Sequence, residues 1–162
     1  MKKLPILAII LMTMPQPAVA RDCAVCINAF GETATAYIND AFLLIGTTAD
    51  GYVADIMKKD TALEIVRNVQ KRVRIVRSKI KDVSRCRISE SDRRLMGLLD
   101  EAYACLDHLT WALTEYVQDK TPESTRRFDQ QRGNCMLRLE AVGRFYTSLP
   151  PSPELPEPLS TR

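Results

Sequence analysis

The sequence predicts an all-α fold, an antiparallel up-down-up-down four-helix bundle, on three observations. Of nine prolines, only Pro122 interrupts residues 21–149, so that stretch holds almost no helix breaker. Apolar residues recur every three or four positions along four separate segments, the period of one buried helix face. The gaps between those segments carry the residues that start and stop helices.

The first helix is expected over about 24–46, with Ile27, Phe30, Ala34, Tyr37, Ala41 and Leu44 as its seam. Gly46 to Gly51, with Thr47, Thr48 and an Asp50-Gly51 turn, should end it. The second is expected over about 53–85, with Val66, Val69, Val73, Val76, Ile80 and Val83 facing inward. Within it, Arg72-Val73-Arg74-Ile75-Val76 alternates and is β-branched. No second strand exists for it to pair with, so it reads as helix. The third, 90–119, follows Ser89-Glu90-Ser91-Asp92, an N-cap with an acid at its third position. Its seam is Leu95, Leu99, Ala102, Leu106, Leu109, Leu113 and Tyr116. The fourth, 122–148, follows Thr121-Pro122-Glu123, an N-cap with proline at the first helical position. Cys135, Leu139, Val142, Tyr146 and Leu149 line it, with Phe128 one heptad upstream.

The two ends differ from this body, which spans 21–149. Residues 1–20 read as a cleaved secretory signal of bacterial type: Lys2 and Lys3, an apolar run from Leu4 to Met14, and Ala18-Val19-Ala20 before the cut. Its apolar run is too short to span a bilayer, and Arg21 and Asp22 separate the cut from Cys23, which excludes a lipoprotein box. A periplasmic or secreted protein is therefore expected. Residues 150–162 hold five prolines and should form an extended, disordered tail. Cleavage would remove two lysines and no acid, taking the net charge from +3 to +1. So small an excess does not suit a nucleic-acid binder, and none is expected.

Export would place the five cysteines in an oxidising space. In a hairpin of the third and fourth helices pivoting near 120–121, Cys105 and Cys135 lie equally far from the pivot, about 22 Å down each rod. They are expected to bond. Cys86, at the end of the second helix, shares an end of the bundle with Cys23 and Cys26. Cys23 is the favoured partner because the second helix looks longer than the first and Cys23 has the freer reach. Cys26 remains the alternative partner or the odd thiol.

Little else carries chemistry. Cys23-Ala24-Val25-Cys26 lacks the following histidine of a haem attachment site and the strands of a thioredoxin-like motif. Zinc would need Cys86 and, less suitably, His108 as further ligands, so no metal site and no cofactor are assigned. His108 is the only histidine and falls outward beside Asp107, with no nucleophile elbow nearby. The neighbouring acids Asp100 and Glu101 should point apart. No catalytic constellation is found, and an enzyme is not expected.

Charge is unevenly spread. Residues 67–87 hold nine basic residues and the single acid Asp82, whereas 89–119 hold seven acids against Arg93 and Arg94. Part of this should cancel between adjacent helices. The remainder defines a face for an anionic partner, formed by Arg67, Lys71, Arg72, Arg74, Arg77, Lys79 and Lys81. Arg132, on a seam position of the fourth helix near the height of Asp107 and His108, should snorkel or pair there. Phe42, Ile65, Ile75 and Leu137 lie off the seams and either pad the core or form a homodimer face. The expected function is that of an exported, non-catalytic binding or accessory protein of the bacterial envelope, such as an assembly factor or small chaperone. Its partner is expected to be a protein, with an anionic membrane surface second. The alternatives are a redox- or metal-responsive protein using Cys23, Cys26 and an unpaired thiol, or a carrier of a small ligand between the helices.

Overall fold

The computed structural model describes residues 19–148, and their side chains from Ile27 onward. The expected signal up to residue 18 and the expected tail lie outside the described residues. Four helices follow one another: α1 (Val19–Val53), α2 (Lys59–Ser84), α3 (Glu90–Gln118) and α4 (Pro122–Thr147). No strand occurs among the described residues. The alternating segment 72–76 lies within α2.

Two of the helix starts follow from local chemistry. Ser89 Oγ accepts the Asp92 N–H at 3.0 Å and opens α3. Thr121 and Ser124 cap α4 reciprocally: Thr121 Oγ1 accepts the Ser124 N–H, and Ser124 Oγ accepts the Thr121 N–H, both at 3.1 Å. Pro122 then occupies the first turn, where its missing N–H costs nothing.

The expected break at Gly46–Gly51 does not occur. α1 continues to Val53, and α2 starts at Lys59 rather than near 53. Gly46 is buried within α1 and stays helical, with Arg132 of α4 beside it. Thr48, 1% exposed, returns its hydroxyl to Leu44 O at 2.6 Å and stays helical. The chain reverses at Asp55, whose φ of 56° is left-handed. Around it the Ile56 N–H donates to Gly51 O at 3.0 Å and the Asp55 N–H to Tyr52 O at 3.3 Å, the paired bonds of a Schellman ending. α1 is thus the longest helix, contrary to the expectation that the second exceeds it.

Burial on α1 falls on Ala34, Ile38, Ala41, Ile45, Thr48 and Ala49. Leu44, expected on the seam, is 45% exposed. The expected seams of α2 and α3 match the buried set more closely: Val66, Val69, Val73 and Ile80 on α2, and every expected seam residue of α3. α3 is buried more widely still, through Met96, Tyr103, Thr110, Ala112 and Val117 as well. It packs against all three other helices; α1 barely touches α4, and α2 does not reach it. α3 is therefore the central rod. Phe42 and Ile65 pad the core, while Ile75 and Leu137 are exposed.

Cross-helix contacts set the register. Lys59 reaches Gln118 O at 2.9 Å, Arg74 reaches Asp107 at 2.8 Å and Arg77 reaches Asp100 at 2.8 Å, so α3 numbers fall as α2 numbers rise. Between α3 and α4, Glu115 meets Arg127, Cys105 bonds to Cys135 and Glu101 meets Arg138. The Cys105–Cys135 disulfide has a Cα–Cα distance of 5.4 Å and spans 30 residues. Cys135 is fully buried, and the Gln131 amide donates to Cys105 Sγ at 3.3 Å. Among the described residues, no helix is long and apolar enough to cross a membrane.

Candidate interaction face on the second helix

The basic residues of α2 share one helix but not one environment. At 100° per residue, Val66, Val69, Val73 and Ile80 commit one side to the core, leaving α2 two flanks and an outer face. Arg67, Lys71, Arg74, Ser78 and Lys81 step by four, three, four and three, which aligns them into a single row along the outside. The distance from Arg67 to Lys81 is about 21 Å at ~1.5 Å per residue. A shallow surface groove of about 420 Å³ lies along this row, lined by Arg67, Gln70, Lys71, Arg74, Ile75 and Ser78. Ile75 is 53% exposed beside it.

Two of the expected face residues are drawn toward α3. Arg77 sets Nε 2.8 Å from Asp100 Oδ1 and Nη2 3.4 Å from Oδ2, a forked grip on the carboxylate. This hydrogen bond raises the Arg77 guanidinium above its ordinary value; partial burial works against it, and the charges of Asp100 and Asp107 add to it. Arg77 is only 28% exposed and serves the bundle rather than the outer face. Arg74 sets Nε 2.8 Å from Asp107 but remains 62% exposed, so it belongs to the row as well.

Arg72 lies on the opposite flank. With Tyr37, Asp40, Ala41, Leu44, Ile65, Asn68 and Val69 it lines a groove of about 440 Å³ between α1 and α2. Its charge tends to lower the Tyr37 phenol, but burial, the larger effect, leaves that group above its ordinary value. Lys79 stands 3.9 Å from Asp82, which also lies 3.7 Å from Arg85. Arg67, Lys71, Arg72 and Lys81 have no carboxylate partner among the described residues.

The acids of α3 serve both neighbours. Asp100 and Asp107 face α2, whereas Glu101 and Glu115 hold Arg138 and Arg127 on α4 at 2.6 and 2.8 Å. Asp100 and Glu101 thus point to opposite helices, as adjacent helical residues must. Arg132 does not pair beside Asp107 and His108. It turns to the other side of α4, beside Gly46 and 3.8 Å from Asp50 on α1.

His108 is exposed, at the rim of a groove between α3 and α4 that also contains Cys105, Gln131, Asn134 and Arg138. Among the described residues, no group of three His, Cys, Asp or Glu side chains could hold a metal ion. The Cys86 thiol is exposed without a sulfur partner among the described side chains, and it donates to Asp82 O at 3.6 Å. The side chains of Cys23 and Cys26 lie outside the described residues. Comparison of the chain with family models, with curated proteins and with solved structures finds no match.

Proposed function

We propose that the protein is an exported, non-catalytic accessory protein of the bacterial envelope that holds an acidic surface of a partner protein against the outer row of α2. One observation carries this reading: Arg67, Lys71 and Lys81 line up along an exposed face, beside the exposed Ile75, with no carboxylate partner among the described residues. Unpaired charge of one sign steers and orients an oppositely charged partner, and an exposed isoleucine gives it apolar area to cover. Export is supported by the signal-like residues 1–20 and by the disulfide, which persists in oxidising compartments. The reading takes the bundle as antiparallel up-down-up-down, supported by the falling register between α2 and α3 and between α3 and α4.

The row is narrow. Asp107 lies along one side of it and Glu64 and Asp82 follow the other, so a rod-like acidic segment suits it better than a broad anionic membrane. The test is recovery of partners from envelope extracts with the tagged, exported chain. The Arg67→Glu, Lys71→Glu, Lys81→Glu triple reversal should abolish recovery, while Arg126→Glu on the exposed side of α4 should not. Equal recovery by both variants would defeat the reading. Binding to anionic lipid vesicles without any captured protein would reassign the face to lipid.

A further inference from the structure

We infer that Cys105 is a modification site: a small-molecule thiol opens the Cys105–Cys135 disulfide from the groove between α3 and α4, remains on Cys105 as a mixed disulfide and leaves Cys135 as the free thiol. The inference is independent of the basic row on α2. It rests on an asymmetry between the two sulfurs of one bond. Cys135 is 0% exposed and belongs to the core cluster. Cys105 is only partly buried and packs against that cluster without being enclosed by it.

The groove makes the difference usable. It measures about 750 Å³, room for a small molecule, and Cys105 lines it together with Ala104, His108, Gln131 and Asn134, whereas Cys135 does not. The Gln131 amide, another lining group, donates to Cys105 Sγ at 3.3 Å, so a polar side chain of the groove already touches this sulfur. Thiol–disulfide exchange requires the attacking sulfur to reach the sulfur it bonds to, and access selects which of the two is attacked. In the folded chain that sulfur is Cys105. Cys135 is reached only when the core opens.

The step balances without a further reagent. The small thiol gives up its proton, and its thiolate attacks Cys105 Sγ. The bond to Cys135 Sγ breaks, and Cys135 leaves as a thiolate that takes up a proton. The sulfur of the small thiol is oxidised and that of Cys135 is reduced. The reverse step is equally direct: with its Cα 5.4 Å from that of Cys105, Cys135 attacks Cys105 Sγ and expels the small thiol. The modification is therefore reversible, and while it lasts the crosslink between α3 and α4 is open.

The test treats the oxidised full chain with reduced glutathione, quenches with acid, alkylates free thiols and maps peptides by mass spectrometry under non-reducing conditions. The expected result is glutathione on the Cys105 peptide and the alkyl group on the Cys135 peptide. Glutathione on Cys135, or opening only at urea concentrations that unfold the chain, would overturn the inference. A second measurement removes reclosure. In a Cys135→Ala variant, glutathione disulfide should modify Cys105 at least about tenfold faster than it modifies Cys135 in a Cys105→Ala variant, because access sets the rate. Equal rates below the urea transition of both variants would overturn it too.

Discussion

The Tyr103 hydroxyl, wholly buried, donates to the Ala34 carbonyl at 2.7 Å and so fastens the central helix α3 to α1. Ala34 O sits within α1, so the tyrosine adds a tertiary bond at the middle of the core. Tyr103→Phe keeps the ring and its packing against Tyr37 but removes that bond. The expected loss is about 1 kcal/mol, the net value of a typical hydrogen bond, read as a lower urea midpoint with an unchanged slope.

The same residue sets an alkaline limit. Burial, with Tyr37 adding a smaller effect, pushes the Tyr103 phenol well above its ordinary range, and burial raises Tyr37 too. A folded chain that holds these protons more tightly than the unfolded one keeps that stability in full below pH ~10, the ordinary tyrosine value. It loses it as pH rises above that value toward the folded-state ones. Urea midpoints should be flat in this respect from pH 8 to about 10 and fall beyond it, and Tyr103→Phe should fall less steeply.

The Cys105–Cys135 bond closes a loop of 30 residues. Its removal by paired Cys→Ala substitution should cost about 3 kcal/mol on the chain-entropy estimate. The expected reading is a Tm lower by about 10 °C, with the helical circular-dichroism signal retained at 20 °C. A change below 1 °C would count against a stapled α3–α4 hairpin.

Glycines and Asp55 should respond in opposite senses according to their surroundings. A Cβ at Gly97 meets nothing within 4 Å, so Gly97→Ala should stabilise the chain by about 1 kcal/mol through helix propensity. At Gly31 a Cβ would already stand 3.0 Å from Leu95 and 3.3 Å from the Tyr146 hydroxyl, so Gly31→Leu should cost about 2 kcal/mol through overpacking. Asp55→Gly should gain about 1 kcal/mol by relieving the left-handed φ. Thermal denaturation of the three variants checks all three signs.

Two cations on α2 should separate structure from surface. Arg77→Ala strands the half-buried Asp100 carboxylate and should cost about 1 kcal/mol, discounted for the solvent that still reaches the pair. Lys71→Ala touches no internal carboxylate among the described residues and should leave the urea midpoint unchanged.

The helix count, the starts of α3 and α4 and the level pairing of Cys105 with Cys135 were legible because they depend on local caps and on counting turns. The end of α1 was not. Gly46 reads as a breaker but stays helical inside α1, and the reversal falls later, at Asp55. The seam of α1 also departs from the expected one within that helix: Ile38 and Ile45 are buried, and the buried face turns away from Leu44. The cationic cluster on α2 was legible as composition, but its division was not. Arg77 and Arg72 leave the outer row because α3 and α1 flank it on either side, and a single helix pattern does not record its neighbours.

Site-specific photo-crosslinking from position 78, in the middle of the outer row, tests the central claim most directly. A benzophenone amino acid replacing the exposed Ser78 should give one discrete protein adduct in the exported fraction. That adduct should vanish when Arg67, Lys71 and Lys81 are reversed to Glu, and it should not form from the exposed position Gln130 on α4. An adduct that survives the reversal, or equal labelling from both positions, would contradict the account.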